Sequence, residues 1–225
     1  MIPNWADGEL IRPLAPADNP LRAAWGLGAR FVIGYSGNLG RAHAVDPVVE
    51  LITALADEPG LAFLFIGAGS GYRALRTAIA ARRLENVVFR PYQDQALLPQ
   101  SLTAPDVHLV TLRPEWEGLV MPSKLYGALA AGRPVVFIGD PEGDVARIVR
   151  AGPGLVARPE EMPALAAKIR ALRRDPARLA QMGDAARRAY DACPRDASLD
   201  AWTRCLGAAA APAAARPLAQ PLPAE

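Results

Sequence analysis

The chain alternates short apolar runs with stretches of helical spacing, and this alternation limits the folds open to it. The runs are rich in β-branched and aromatic residues, which predicts strands buried on both faces, over residues 31–36, 61–66, 86–90, 106–112 and 134–138. The stretches between them carry apolar residues at helical spacing. Strand alternating with helix predicts parallel βαβ units. We therefore expect an α/β fold with a doubly wound, Rossmann-like parallel sheet, whose ligand crevice lies at the carboxyl ends of the strands.

The pattern divides the chain into three parts. Residues 1–30 are punctuated by prolines and are predicted to be a linker that leads into the domain. Residues 31–207 form the domain, and only helices are expected after residue 160, the last of them carrying Trp202. Residues 208–225 are rich in Ala and Pro, which predicts a disordered tail.

Composition excludes several classes of function. The 25 basic and 23 acidic side chains give a net charge of +2, so no global field attracts nucleic acid or an anionic membrane. Cys193 and Cys205 lack the spacing of a zinc site or a disulfide framework. The sequence also shows no export signal and no run of about 18 apolar residues. We expect a cytoplasmic protein without a metal.

Two glycine-containing loops follow the first two predicted strands. In residues 36–43, two glycines let the backbone approach a ligand, and a diphosphate would fit there, although an ordinary tight turn explains the same residues. Residues 67–71 resemble a dinucleotide fingerprint but carry Tyr72 where a third glycine would be required. This loop either contacts a ligand or only lines the crevice, and a Rossmann-like oxidoreductase is disfavoured.

A third segment, residues 122–134, begins just beyond the fourth predicted strand. It places Ser123 and Lys124 at the start of a helix where the crevice should lie. A lysine there can pair with phosphate as a compact charge. Lysines at helix starts are also commonly only solvated, so the position alone leaves both interpretations open.

Four motifs occur in a fixed order and together resemble a known family. They are IPNWAD at residues 2–7, YSGNLGRAH at 35–43, FIGAG at 65–69, and PSK at 122–124 followed by GRP at 132–134. This arrangement is similar to the C-terminal, donor-binding domain of bacterial family 4 glycosyltransferases of the two-domain GT-B kind, of the type that builds exopolysaccharide and O-antigen units. The likeness covers about residues 1–205.

The resemblance implies a site for a nucleoside-diphosphate sugar, UDP- or GDP-linked, and no further cofactor. The first loop would close over the diphosphate through Gly37, Asn38 and Gly40, with polar contacts from Arg41 and His43. The second loop would contribute Gly67 and Gly69, and Pro91 with Tyr92 would hold the base. The third segment would approach the phosphates and ribose through Ser123, Lys124 and Leu125. Lys124 and Glu142 are the catalytic candidates, with Glu142 near the donor sugar.

The sequence departs from the wider family at one point. Many members carry two glutamates eight positions apart, and these positions are Leu119 and Gly127 here. Glu115 and Glu117 are nearby but out of register. The usual ribose and sugar contacts are therefore in doubt, and Lys124 would take part of their role.

The resemblance also implies a reaction and a missing partner. We expect retaining sugar transfer, of hexosyl type, to a polysaccharide or lipid-linked acceptor, without a bound metal. The acceptor would be held by an N-terminal domain or a separate acceptor subunit, so this chain alone should be weak or inactive. A lipid-linked acceptor would bring it to the inner face of the plasma membrane. The alternative is a noncatalytic donor-binding subunit.

Overall fold

A six-stranded parallel sheet organises the protein. The computed structural model describes residues 2–210, with side chains as far as residue 207. The strand order is β3-β2-β1-β4-β5-β6, which confirms the doubly wound parallel sheet. The strands are β1 (Phe31–Ser36), β2 (Leu61–Ile66), β3 (Val87–Arg90), β4 (Val107–Thr111), β5 (Val135–Ile138) and β6 (Gly154–Ala157).

Helices cover both faces of the sheet, and alternate residues of each strand point to opposite layers. The helices are α1 (Pro20–Ala24), α2 (Asp46–Ala54), α3 (Ser70–Ala81), α4 (Leu98–Thr103), α5 (Lys124–Ala130), α6 (Asp144–Arg150), α7 (Met162–Arg173), α8 (Pro176–Asp191) and α9 (Arg195–Ala210). In β4, Leu109 belongs to the core layer with α2, α3 and α7, whereas Val110 belongs to the layer with α5, α6 and α8. Residues from the predicted apolar runs therefore contribute to both core layers.

The sixth strand, β6, is absent from the sequence prediction. It has four residues, Gly154–Ala157, and pairs with β5 at the edge of the sheet. Only Leu155 and Val156 are large and apolar in this stretch, so it does not stand out as a run. Pairing with β5, rather than local sequence, makes it a strand.

The N-terminal segment, predicted to be a linker, packs closely on the domain. Ile11 and Leu27 are buried, and Leu27 covers the face of β1 and β2 that the larger helices leave open. The side-chain amide of Asn19 donates to the Gln100 carbonyl at 2.7 Å. These contacts join residues that are far apart in the sequence. The apolar residues of this segment stand singly between prolines, so they show no periodic pattern from which the packing could be predicted.

The C-terminal predictions have different outcomes. The three helices α7, α8 and α9 follow β6 as expected. The predicted disordered tail lies outside the described residues, apart from its first three residues, which end α9. No helix in the described part of the chain is both long and apolar enough to cross a membrane.

A buried ion pair ties the N-terminal segment to the sheet. Arg22 Nη1 lies 3.1 Å from Asp106 Oδ2, and the two side chains are 5% and 13% exposed. Arg22 also donates to the carbonyls of Gly28 and Ala104, and Asp106 accepts from the Val32 N–H. The pair therefore fixes α1 against the start of β1 and β4.

Replacing Arg22 with Ala should lower the free energy of unfolding by about 3–5 kcal/mol, because it leaves Asp106 as an uncompensated buried charge. Urea denaturation measures this loss. Arg82→Ala, at the exposed position that follows α3, is the control and should change the value by less than about 0.5 kcal/mol. Equal effects in the two variants would show that the N-terminal segment is not an integral part of the domain.

Candidate functional site

The strand order reverses between β1 and β4, and this places a crevice at the carboxyl edge of the sheet. The chain leaves β1 toward β2 and leaves β4 toward β5, so the loops after β1 and β4 diverge. A cavity of about 500 Å³ opens there. Its walls come from the loop after β1, the start of α5, α4 and the N-terminal segment, and include Trp5, Ser36, Gly37, Asn38, His43, Gln95, Met121, Ser123 and Lys124.

A larger cavity of about 800 Å³ lies at the opposite edge, around Arg22 and Asp106. The donor groups of Arg22 are bound to protein carbonyls and to Asp106. The larger volume therefore surrounds a satisfied structural ion pair. The smaller cavity at the carboxyl edge is the one that contains groups able to bind a ligand.

The loops after β1 and β2 pack against each other through glycines. Gly67 and Gly69 both have φ of +130°, which side chains rarely adopt. A Cβ at Gly67 would lie 2.4 Å from the Gly37 carbonyl oxygen, and one at Gly69 would lie 2.3 Å from Asn38 Oδ1. The Leu39 N–H also donates to the Ala68 carbonyl at 2.9 Å. The second loop therefore supports the first, and it does so from outside the cavity wall.

Lys124 reaches from the start of α5 to the loop after β1. Its Nζ lies 3.0 Å from His43 Nε2 and 3.1 Å from the Asn38 carbonyl oxygen, and it also contacts the Tyr35 hydroxyl. The Nζ is 4.1 Å from the centre of the Tyr35 ring. Burial lowers the pKa of Lys124 to about 7. The site thus holds a titratable cation among neutral polar groups.

His43 is fixed behind Lys124. Its Nδ1 lies 2.6 Å from the Thr111 carbonyl oxygen, which can only accept, so Nδ1 carries the proton. Burial, and then the charge of Lys124, lower the pKa of His43 to about 4. The ring is therefore neutral near pH 7, with Nε2 as an acceptor for Lys124.

Comparison with known proteins identifies the family. Residues 30–175 match the family described as glycosyl transferases group 1. The chain belongs to this family. It is 34% identical over 173 residues to WcaI of Escherichia coli (strain K12), which is named as a colanic acid biosynthesis glycosyl transferase. The match covers 75% of this chain and 42% of WcaI, so the chain spans less than half of that relative's length.

Solved structures show the fold to which this member of the family belongs. Anabaena HepE, crystallised with UDP and glucose, is 25% identical with a TM-score of 0.75, and the match covers 92% of this chain and 56% of HepE. The C-terminal domain of LpcC from Francisella tularensis is 19% identical with a TM-score of 0.61, and the match covers 83% of this chain and 95% of that domain. The fold is that of a C-terminal GT-B domain.

The predicted site residues of this glycosyltransferase domain fall into two groups. Those brought together at the cavity are Gly37, Asn38, His43, Ser123 and Lys124. Gly40 lies in the same loop, with Asn38 Nδ2 3.1 Å from where its Cβ would be, and Arg41 beside it is exposed. Gly67 and Gly69 lie outside the cavity wall and support the loop after β1.

The other predicted residues lie apart from this cavity. Pro91 and Tyr92 follow β3, and Tyr92 is 57% exposed. The Leu125 side chain is buried in the core, and its N–H donates to the Pro122 carbonyl. Glu142 is exposed and lies 3.4 Å from Arg150, away from the residues that line the cavity.

Sequence reasoning missed three contributors to the site of this glycosyltransferase domain. Tyr35 and the Thr111 carbonyl hold Lys124 and His43, and Trp5 of the N-terminal segment forms the facing wall. A hydroxyl-bearing residue at the carboxyl end of the buried run 31–36 was the available signal for Tyr35. Nothing in the sequence marks a backbone carbonyl.

Glu117, judged out of register from the sequence, caps α6. Its Oε1 accepts from the Asp144 N–H at 3.0 Å, and a Cβ at Gly143 would meet the carboxyl group. Its Oε2 is buried without a hydrogen-bond partner among the described residues. Glu117 therefore organises the loop that carries Glu142.

Replacing Gly69 with Ala should destabilise the site because the new Cβ would meet Asn38 and Leu39 in addition to straining the backbone. We expect a loss of about 2–3 kcal/mol in the free energy of unfolding. Gly26→Ala is the matched control, since Gly26 has φ of +68° with nothing within 4 Å of its Cβ position, and it should lose about 1 kcal/mol. Urea titrations that give equal losses would contradict the packing of the two loops.

Proposed function

We propose that this domain binds a nucleoside-diphosphate sugar in the crevice and serves as the donor half of a retaining, hexosyl-type glycosyltransferase. The observation that carries the proposal is Lys124, a partly buried cation without a carboxylate partner among the described side chains, at the mouth of the first loop. A diphosphate supplies the negative charge that this ammonium lacks. Its leaving-group charge would be stabilised in the same place.

The backbone of the first loop supports a diphosphate at this position. Hydrogen bonds among the described residues occupy the N–H groups of Gly37 and Leu39, which donate to Ile66 and Ala68, but not those of Asn38 and Gly40. Gly37, with φ of +117°, presents no side chain between these amides and Lys124. The Asn38 N–H and the Lys124 ammonium, both on residues that line the cavity, are then available to one ligand. HepE, which has this fold, was crystallised with UDP-glucose.

The rest of the donor would extend along the sheet edge in both directions. Pro91 and Tyr92 follow β3, and the exposed Tyr92 ring offers a surface on which a uracil or guanine base can stack. In the other direction lies the loop that carries Glu142, where we place the sugar. We propose no further cofactor and no metal, with Lys124 and the loop amides stabilising the departing diphosphate.

The acceptor would bind elsewhere. The match to WcaI covers 42% of that protein, and α9 exposes Leu199, Trp202 and Leu206, which lie on one face of the helix. We propose that an acceptor domain or a separate acceptor subunit completes the cleft, and that the acceptor is a polysaccharide or a lipid-linked sugar. A lipid-linked acceptor would place the enzyme in the cytoplasm at the inner face of the plasma membrane.

Two consequences follow for this chain by itself. Positioning two substrates in a closed cleft supplies much of the rate of such reactions, so the chain should bind donor and turn over little. In the alternative, it is a noncatalytic donor-binding subunit that needs a separate acceptor chain.

Titration calorimetry with UDP and with GDP tests the proposal. We expect saturable heat with at least one nucleotide at millimolar concentration. Lys124→Gln should weaken binding by about 10- to 100-fold, because the attraction between the ammonium charge and the diphosphate is lost. Lys168→Gln is the control, at an exposed position on α7, and should bind like the parent chain. No heat with either nucleotide would overturn the proposed function.

A further inference from the structure

The choice of cation in the crevice is unusual for this chain. It contains 23 arginines but only two lysines, Lys124 and Lys168, and only two histidines, His43 and His108. Arginine stays charged in proteins, whereas a buried lysine can lose its proton. Lys168 is exposed on α7, so the one lysine near the core lies in the crevice and contacts one of the two histidines.

The hydrogen bonds around Lys124 fit a charged ammonium. An ammonium has three donors and no acceptor, and Lys124 has three acceptors within reach: His43 Nε2, the Asn38 carbonyl and the Tyr35 hydroxyl. Tyr35 itself donates to the Asn38 carbonyl at 2.8 Å, so its oxygen is free to accept. His43 can accept because Thr111 fixes the proton on Nδ1. Geometry alone therefore holds the amine at the mouth of the loop.

The charges around Lys124 do not favour the ammonium form. The three acceptors are neutral, and none of the described side chains forms an ion pair with Lys124. The titratable groups on the surrounding elements include Asp7, Tyr35, Arg41, His43, Asp46, Tyr72, Tyr92, Asp94 and Arg113. The acids among them, Asp7, Asp46 and Asp94, are exposed. Burial also raises the pKa of Tyr35 and Tyr72, which keeps both hydroxyls neutral.

We propose that donor binding draws one proton onto Lys124, and that His43 is the positioning residue that holds the amine ready to receive it. This rests on the proposed function, since the diphosphate is the source of the missing negative charge. Before binding, the amine of Lys124 is surrounded by three neutral acceptors, and it loses its proton readily. After binding, the negative charge of the diphosphate stabilises the ammonium, and His43 keeps the ammonium beside the loop after β1.

The sign of the pH dependence follows from linkage. Burial lowers the pKa of Lys124 to about 7 in the free protein, and the diphosphate raises it in the complex. Binding therefore takes up a proton above pH 7, and affinity falls as pH rises. For an amine that stays protonated in the complex, the Kd should increase about 30-fold between pH 6 and pH 8.5. UDP-glucose is the suitable probe because both its phosphates are esterified and neither titrates in this range.

Nuclear magnetic resonance can observe the groups directly. Labelling lysine at Cε gives two signals, and Lys168→Arg removes one and assigns the other to Lys124. The Lys124 signal should titrate near pH 7 in the free chain and return to its charged position when UDP-glucose is added at pH 8.5. A Lys124 signal that stays charged to pH 9 without ligand would overturn the proposal.

Histidine labelling tests the positioning role. Labelled ring nitrogens should show a proton on Nδ1 of His43 and on Nε2 of His108, because His108 Nε2 lies 2.7 Å from the Leu102 carbonyl. The two histidines are therefore expected to be opposite neutral tautomers. A His43 with its proton on Nε2 would contradict the proposed hydrogen bond from Lys124.

Variants separate positioning from folding. His43→Leu removes the acceptor and should weaken UDP-glucose binding at pH 7 by about tenfold and move the Lys124 titration to lower pH. His43→Gln keeps an amide that can bridge Thr111 and Lys124, and it should restore binding to within about threefold of the parent. Lys124→Arg stays charged, so its Kd should change less than about threefold from pH 6 to 8.5. Thermal unfolding confirms that each variant is folded.

The outcomes distinguish the two proposals. No binding of UDP-glucose at any pH would overturn the proposed function and this inference with it. Binding whose Kd does not change with pH in the parent chain would overturn the proton uptake alone. If His43→Leu fails to fold, the pH dependence of His43→Gln and Lys124→Arg still decides the result.

Discussion

The close approach of two backbone loops is the contact on which the rest of the site depends. Gly67 and Gly69 leave no room for a Cβ against Gly37 and Asn38, and the Leu39 N–H bonds across to Ala68. This contact fixes the Asn38 carbonyl, which is one of the three acceptors of Lys124. Main-chain packing therefore fixes one acceptor of the cation, and the side chains of Tyr35 and His43 supply the other two. This packing explains why glycines that do not line the cavity still determine its shape.

The second constraint is electrostatic. A charged amine that is partly buried without a counter-ion is destabilised by lost hydration, and hydrogen bonds to neutral acceptors offset only part of that cost. The crevice is consequently organised to receive an anion. The crevice lies near the reversal between β1 and β4, and we propose that the diphosphate of a donor supplies this anion. The wall formed by Trp5 links the same crevice to the N-terminal segment.

The N-terminal segment is an integral part of the domain. Arg22 and Asp106 form a buried pair, and Tyr190 of α8 donates to the Ala6 carbonyl at 2.8 Å. Residues expected to be a linker thus act as part of the core and as one side of the cavity.

The sequence by itself determined the parallel sheet, the helices of both layers and the three segments that carry the site, because apolar periodicity and glycines are local signals. It also selected Gly37, Asn38, His43, Ser123 and Lys124, which the fold brings to one cavity. Only the tertiary structure decided the rest. The strand β6 forms by pairing with β5, Tyr35 and the Thr111 carbonyl join the site through contacts across the sheet, and Leu125 turns into the core. These features depend on neighbours far apart in the chain, which no local pattern of residues records.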